Sequence, residues 1–291
     1  MLSELFVLDL SSVLAGPAVG MFFAELGARV VKIENPKTQG DVTRSWKLPQ
    51  EDPSMPDSAY HHSINWGKDI HFLDIADPSN RPQVEGWIQQ ADIVLTNFKP
   101  GSEKKLGLDY PTLAQLNPRL IHASVNAYGA DNPRPGFDAL IQAETGWMYM
   151  NGEADGPPVK LPVALIDVLA AHQLKQGILL ALLQRERSGT GSQVQVSLFD
   201  ASLAALTNQA SNWLNVGVKP TRKGSQHPNI APYGDIFSTQ DGRDILLGTG
   251  TQRQFEQLCH LLAVPDLATD PRFLTNRLRL QHRSALIEAL R

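Results

Sequence analysis

Apolar and polar positions alternate along the chain in blocks that predict strand, helix and strand in turn. Residues 6–10 (FVLDL) are an apolar run of strand length, followed by a loop at 11–16. A helix is predicted from 17 to about 26, with Gly27 placed as its C-terminal cap. Residues 29–34 (RVVKIE) read as the next strand. Such a βαβ unit demands a parallel sheet and a right-handed crossover. Residues 35–82 are polar and Pro-rich, and read as ordered loop because Trp46, Tyr60, Trp66 and Phe72 recur through them as anchors.

The alternation then resumes. A helix is predicted near 83–90, a strand at 92–98 (DIVLTNF), a helix at 110–117 and a strand at 119–128. Turn-rich residues 129–136 lead to a helix at 137–149, and a Gly/Pro loop at 151–158 leads to the apolar stretch 161–183. A strand at 193–197 and a helix from about 198 to 215 complete the series. The fold class expected is α/β, a doubly wound Rossmann-like parallel sheet. The character changes at 217–229 (GVKPTRKGSQHPN), which reads as a linker between a large domain at 1–216 and a smaller α+β domain at 230–291. In the latter, Asp241-Gly242 is a hairpin signal between strands at 235–239 and 244–247, with helices at about 252–262 and 277–290.

Composition narrows the function classes. The 291 residues are 42% hydrophobic and 19% charged with a net charge of −4, which argues against a nucleic-acid surface. Cys259 is the single cysteine, in a helical apolar pattern, so no disulfide framework or Cys-based zinc site is available. The stretch 161–183 is interrupted by His172, Gln173, Lys175 and Gln176, and does not read as membrane-spanning. The chain opens without a signal-peptide pattern, so a cytoplasmic, reducing compartment is expected.

The most conspicuous chemistry lies in 161–183. Asp167 sits among Val163, Leu165, Ile166, Val168 and Leu169, with Pro162 suited to a first helical turn. Apolar residues surround the carboxylate, so burial is expected, and with it either a raised pKa or a partner that holds the charge. A structural aspartate tied to a backbone or Arg partner and a functional one both fit. The loop 11–16 lies where open α/β sheets bind ligands. It lacks G-x-G-x-x-G, so Glu34, placed where a ribose-binding acid would be in a nicotinamide enzyme, is a weak match. No nucleophile elbow, H-E-x-x-H or Walker loop occurs. His61-His62 reads as a pair of solvated loop histidines, since adjacent residues seldom share a ligand face. Lys104-Lys105, with Lys99 nearby, could hold phosphates or form plain surface charge.

Ordered motifs carry the reading further. They begin with VLDLSSVLAGPAVGMFFAELGARVVKIE at 7–34, GDVTRSW at 40–46, TNFKPGSEKKLGLDY at 96–110 and NPRLIHASVNAYG at 117–129. PGFD at 135–138, DGPPVKLPVALIDVLAA at 155–171, GTGSQVQVSLFDA at 189–201, HPNIAPY at 227–233 and TDPRFLTNRLRLQHRSALI at 269–287 complete them. Together they resemble the family III CoA-transferases, the group containing formyl-CoA and carnitine CoA-transferases, over essentially the whole chain.

The resemblance implies an enzyme moving CoA between an acyl-CoA donor and a carboxylic acid acceptor. Asp167 falls where the family has its catalytic aspartate, which forms a mixed anhydride and then an aspartyl-CoA thioester. CoA contacts map onto Val13, Leu14, Ala15, Leu73, Asp74, Ile75, Asn97, Phe98, Lys105, Phe137 and Asp138. The CoA thioester is a substrate, and no metal or prosthetic group is implied. An interlinked homodimer is the family's assembly, with no nucleic acid or membrane as partner. Two departures bear on the phosphates: Asn35 follows the strand-end Glu34, and NWGKD at 65–69 has Gly67 and Asp69 where an amide and a base are common. Lys68, Lys104 or Arg134 are the candidate replacements. Leu14 stands where formyl-CoA transferase has a glutamine, which disfavours a formyl-CoA/oxalate pair, and HPNIAPY resembles the branch using succinyl-CoA.

One alternative is an α-methylacyl-CoA racemase, which needs a histidine where PGFD has Phe137; a phenyl ring cannot transfer a proton. The other is a truncated CoA-binding protein without activity. The family's chains continue further, so the small domain is expected to be incomplete.

Overall fold

The computed structural model describes Leu2–Arg291. Two compact units emerge: Met1–Thr145 with Leu161–Gly217, and Gly146–Lys160 with Val218–Arg291. The first unit is built on six strands: β1 (Phe6–Asp9), β2 (Arg29–Glu34), β3 (Asp69–Phe72), β4 (Ile93–Thr96), β5 (Ile121–Asn126) and β6 (Ser192–Ser197). All pair in parallel, in the order β3-β2-β1-β4-β5-β6. That is the doubly wound Rossmann-like order, as the strand–helix alternation implied. Its central strands are buried on both faces, which explains their continuous apolar runs.

The helices of this unit are α1 (Ala15–Glu25), α2 (Ala59–Asn65), α3 (Arg81–Gln90), α4 (Ser102–Leu106), α5 (Tyr110–Leu116) and α6 (Asp138–Glu144). After the short α7 (Trp147–Met150), which belongs to the second unit, come α8 (Leu165–Ser188), α9 (Leu198–Ala204) and α10 (Thr207–Val216). Leu8, Val31, Val94, Leu113 and Leu120 pack with Val84 and Ile88 of α3 into one core layer. α1, α6, α8 and α9 contact one another or the sheet on the other side. By length and mean hydropathy (1.3), α8 could cross a bilayer, but it packs along β5, β6, α1, α6 and α9 as a core helix does.

Several expectations change. Residues 35–82 contain α2 and the edge strand β3 as well as loop. β3 reads DIHF with none of its four residues buried, so no apolar run marks it. The helix expected at 137–149 breaks at Gly146, whose φ of 87° ends one helix and starts another. α8 begins at Leu165, so Pro162 precedes its first turn. Its start is also less buried than the apolar pattern suggested: Val163 is 59% exposed, and Leu165, Val168 and Leu169 are only half-buried. Leu179, Leu180 and Leu183 further along α8 are exposed as well.

In the second unit, β7 (Tyr233–Ser238) and β8 (Asp244–Gly248) form an antiparallel hairpin turning at Asp241-Gly242. Helices α11 (Gln252–Leu261), α12 (Asn276–Gln281) and α13 (Arg283–Leu290) follow. Phe255, Cys259, Phe273, Leu286 and Ala231 form their buried core. Residues 218–229 are part of this unit and not a free linker. Gly224 N–H donates to the Gly152 carbonyl at 3.0 Å, and Arg222 donates to the Tyr149 carbonyl at 3.0 Å. Those bonds also draw 146–160, expected in the large domain, into the smaller unit.

Candidate active site

The strand order reverses between β1 and β4, so a crevice opens beyond their carboxyl ends. It has a volume of about 1010 Å³, which suits a nucleotide-sized ligand. Ser11 and Ser12 line it after β1, Asn97, Phe98 and Lys99 after β4, and Leu73 and Ile75 after β3. Asn97 clamps the two central strand ends together. Its Oδ1 accepts from the Ser12 N–H at 3.0 Å, and its Nδ2 donates to the Ser12 carbonyl at 2.7 Å.

The next residue is strained. Val13 has φ of 72°, rare for a β-branched side chain and costing about 1–3 kcal/mol. Asp41 holds it there: its carboxylate accepts from the Val13 N–H at 3.1 Å, from Lys32 Nζ at 3.1 Å and from the Thr43 N–H at 3.0 Å. The turn delivers Leu14 and Ala15 to the start of α1. Leu14 offers no side-chain cap, and the N–H groups of Ala15 and Gly16 have no acceptor within the helix. The positive end of α1 therefore faces the loop as an anion-binding element.

Buried charges brace this loop from below. Lys68 Nζ reaches Asp9 Oδ2 at 2.8 Å, the Pro17 carbonyl at 2.8 Å and Asn65 Oδ1 at 2.9 Å, so its three donors are used. It is not a phosphate ligand, contrary to the sequence expectation. Burial lowers its pKa to about 8 against the opposing pull of Asp9. Gly20 permits the arrangement, since a Cβ there would meet Asp9 Oδ2 at 2.6 Å. Glu34 is likewise engaged. Arg44 Nε bonds it at 2.6 Å, the Asp41 N–H at 2.9 Å and His61 Nε2 at 3.0 Å. Burial pushes the Glu34 carboxyl up, but these hydrogen bonds outweigh it and hold the pKa at about 2. A ribose-binding role for Glu34 does not fit such a carboxylate.

Of the remaining phosphate candidates, Arg134 pairs with Glu144 at 2.5 Å, and Lys104 and Lys105 lie exposed in the last turn of α4. Lys105 is not among the residues lining the crevice, whereas Lys99 is. Asp74 is tied to Lys37 at 2.7 Å, beside a separate hollow.

Asp167 occupies the third position of α8 and is half-buried. Asp138, the first residue of α6, caps α8 from outside. Its Oδ2 accepts from the Ile166 N–H at 2.7 Å and the Asp167 N–H at 3.4 Å, and its Oδ1 accepts from Gln142 Nε2 at 2.5 Å. The Asp138 charge thus takes the helix-end donors that would otherwise favour an ionised Asp167. Among the described residues, no donor reaches the Asp167 carboxylate. Burial, and then the nearby Asp138 charge, push its pKa to about 7. Of the two outcomes expected for a buried carboxylate, a raised pKa or a charge-holding partner, Asp167 has the raised pKa.

Phe137, just before Asp138, is 61% exposed and offers no proton. The sequence reading missed Tyr60 of α2, whose phenol is pushed up by burial and then by the charges of Asp167, Asp138 and Asp41. It therefore stays a hydroxyl donor at neutral pH within electrostatic reach of Asp167. Only its place among the aromatic anchors of 35–82 hinted at it.

The comparisons with known proteins follow the same pattern. The model of CoA-transferase family III matches residues 2–291. An acyl-CoA transferase of Fusarium pseudograminearum is 42% identical over 292 residues, covering 98% of this chain and 63% of its own. A succinate–glutarate CoA-transferase of Agrobacterium fabrum is 38% identical over 288 residues, covering 97% of this chain and 71% of its own. This chain thus spans about two thirds of the length of these relatives. A CAIB/BAIF family protein from Brucella suis has a solved structure that superimposes with a TM-score of 0.82 at 39% identity, covering 98% of this chain and 76% of its own. With the Rossmann-like sheet, the crevice and the raised Asp167 in place, the chain belongs to CoA-transferase family III.

Proposed function

We propose that the protein is a CoA-transferase that moves CoA from a donor such as succinyl-CoA to a carboxylic acid, with Asp167 as nucleophile. The observation that carries this is the Asp167 carboxylate itself, half-buried, without a hydrogen-bond donor and with its pKa raised to about 7. Poor solvation makes a carboxylate a stronger nucleophile, and covalent catalysis divides a difficult exchange into easier steps.

The ionised Oδ of Asp167 attacks the acyl-CoA carbonyl and expels CoA thiolate, forming a mixed anhydride. The thiolate attacks the aspartyl carbonyl, giving an aspartyl-CoA thioester and releasing the donor's acid. The acceptor carboxylate then attacks the thioester, forming a new anhydride and expelling the thiolate again. Attack of the thiolate on the acceptor's acyl carbon yields the new acyl-CoA and regenerates the Asp167 carboxylate. No proton is gained or lost across the cycle. Each addition places negative charge on a carbonyl oxygen, and the N–H groups of Leu14 and Ala15 are our candidates for receiving it.

The crevice between β1 and β4 suits the nucleotide part of CoA, with Asn97, Phe98, Leu73, Ile75 and Lys99 as lining groups. Val13, Leu14 and Ala15 join it to the reaction centre. Phe137 would lie along the thioester arm, and Asp138 would position Asp167 by holding the start of α8. We also propose a homodimer in the cytoplasm: exposed Leu179, Leu180 and Leu183 on α8 form an apolar face suited to a partner. Succinyl-CoA and a dicarboxylate are favoured as substrates by the name of the Agrobacterium relative.

The test is an exchange assay. With succinyl-CoA and glutarate, chromatography should detect glutaryl-CoA with the parent protein and none with Asp167→Asn. Equal product from both proteins would refute the assignment of Asp167.

A further inference from the structure

His61 and His62 are adjacent, and the sequence argument that neighbours do not share a ligand face would dismiss them. The structure brings them together by using different ring atoms. His61 presents Nδ1, close to the backbone, and His62 presents Nε2, at the far end of its ring. Asp57, just before the Ser58 cap of α2, reaches between them, with Oδ1 3.9 Å from His61 Nδ1 and Oδ2 3.9 Å from His62 Nε2. The three ligand atoms lie within 4.8 Å of one another. We propose that Asp57, His61 and His62 form a binding site for a divalent transition metal of the zinc class.

The independent observation is His61 itself. The residue is 1% exposed, and its Nδ1 is buried without a hydrogen-bond partner. Its other nitrogen, Nε2, is 3.0 Å from Glu34 Oε1. Arg44 and the Asp41 N–H keep that carboxylate an acceptor, so the neutral ring places its N–H on Nε2 and turns the Nδ1 lone pair toward Asp57 and His62. A buried acceptor without a donor is costly, and a metal ion would satisfy it. A carboxylate holding the far N–H of a histidine is also the usual outer partner of a metal-bound imidazole, fixing its tautomer.

Arg44 is the obstacle to consider, because its Nη1 contacts Asp57 Oδ1. Oδ2 is the oxygen facing His62, so one carboxylate can keep Arg44 on Oδ1 and ligate through Oδ2. Ligating carboxylates are commonly hydrogen-bonded in this way. Zinc bonds of about 2.0–2.1 Å in a tetrahedron set ligand atoms roughly 3.3 Å apart, so the cluster must tighten by up to about 1.5 Å. The His62 side chain is 65% exposed, which leaves it free to swing onto Asp57 and gives the ion an entry path. Two imidazoles and one carboxylate select zinc, nickel or cobalt over calcium or magnesium, and a fourth position stays open to solvent.

The experiment is equilibrium dialysis of untagged protein against zinc sulfate, with cobalt absorption as a second readout. His62→Ala and Asp57→Asn are the variants; the exposed His62 can be removed without disturbing the core, and a thermal melt checks both. One zinc per chain is expected in the parent, weakened by at least about tenfold in each variant. Cobalt should give an intense visible band with the parent protein that His62→Ala lacks. Absence of saturable zinc uptake by the parent, or uptake unchanged in folded His62→Ala, would overturn the proposal.

Discussion

Replacing Asp167 with asparagine should stabilise the fold, and by more as pH rises. The carboxylate is half-buried with no donor, and burial together with the Asp138 charge moves its pKa from 3.8 to about 7. A raised carboxyl pKa means that the folded state holds its proton more tightly than the unfolded chain does. Stability is therefore highest below the unfolded pKa and declines as pH rises from about 4 to about 7, then levels off. The pKa difference amounts to at most about 4 kcal/mol at pH 8, and about 2 kcal/mol at pH 5. Asparagine carries no titrating group and escapes this cost. Urea unfolding of both proteins at pH 5, 6, 7 and 8 would show Asp167→Asn gaining on the parent by up to about 2 kcal/mol between the two ends. A gap between the proteins that stays constant with pH would refute the reasoning, because Asp167 would then titrate normally in the fold.

Two further outcomes follow from the same electrostatics. Asp138→Asn keeps an acceptor for the α8 N–H groups but removes the second cause of the Asp167 shift. The acid limb of its kcat/KM profile should move to lower pH while remaining above the ordinary carboxyl range, since burial is the larger cause; an unmoved or upward-shifted limb would contradict this. Lys68→Met should cost about 3–5 kcal/mol by stranding the buried Asp9 carboxylate, with part regained in Asp9→Asn/Lys68→Met, as measured by urea unfolding.

The parts legible in the sequence were those set by periodicity. β1 and β4 are apolar runs because both faces of the sheet are covered, and the hairpin turn announced itself through Asp241-Gly242. β3 was hidden because an edge strand with half-exposed positions needs no apolar run. The break at Gly146 within 137–149 was equally hidden, since local composition remains helical on both sides.

The site divided in the same way. Asp167 stood out because a lone carboxylate interrupts an apolar stretch. Lys32 and Asp9 did not, and Glu34 and Lys68 were noticed only for other roles, because what matters is their mutual pairing across segments far apart in the chain. Lys68 was even assigned the wrong work, as its three acceptors come from Asp9, Pro17 and Asn65. Val13 could not be recognised as strained either, since its conformation depends on Asp41, 28 residues away.

The account's central claim is that Asp167 forms a covalent intermediate with CoA. Its most direct test is intact-mass analysis after incubation with succinyl-CoA in the absence of an acceptor acid, with Asp167→Ala alongside. The account predicts a CoA-sized or acyl-sized adduct on the parent protein and none on the variant. A folded parent protein that binds CoA but acquires no adduct, or an equal adduct on Asp167→Ala, would contradict it.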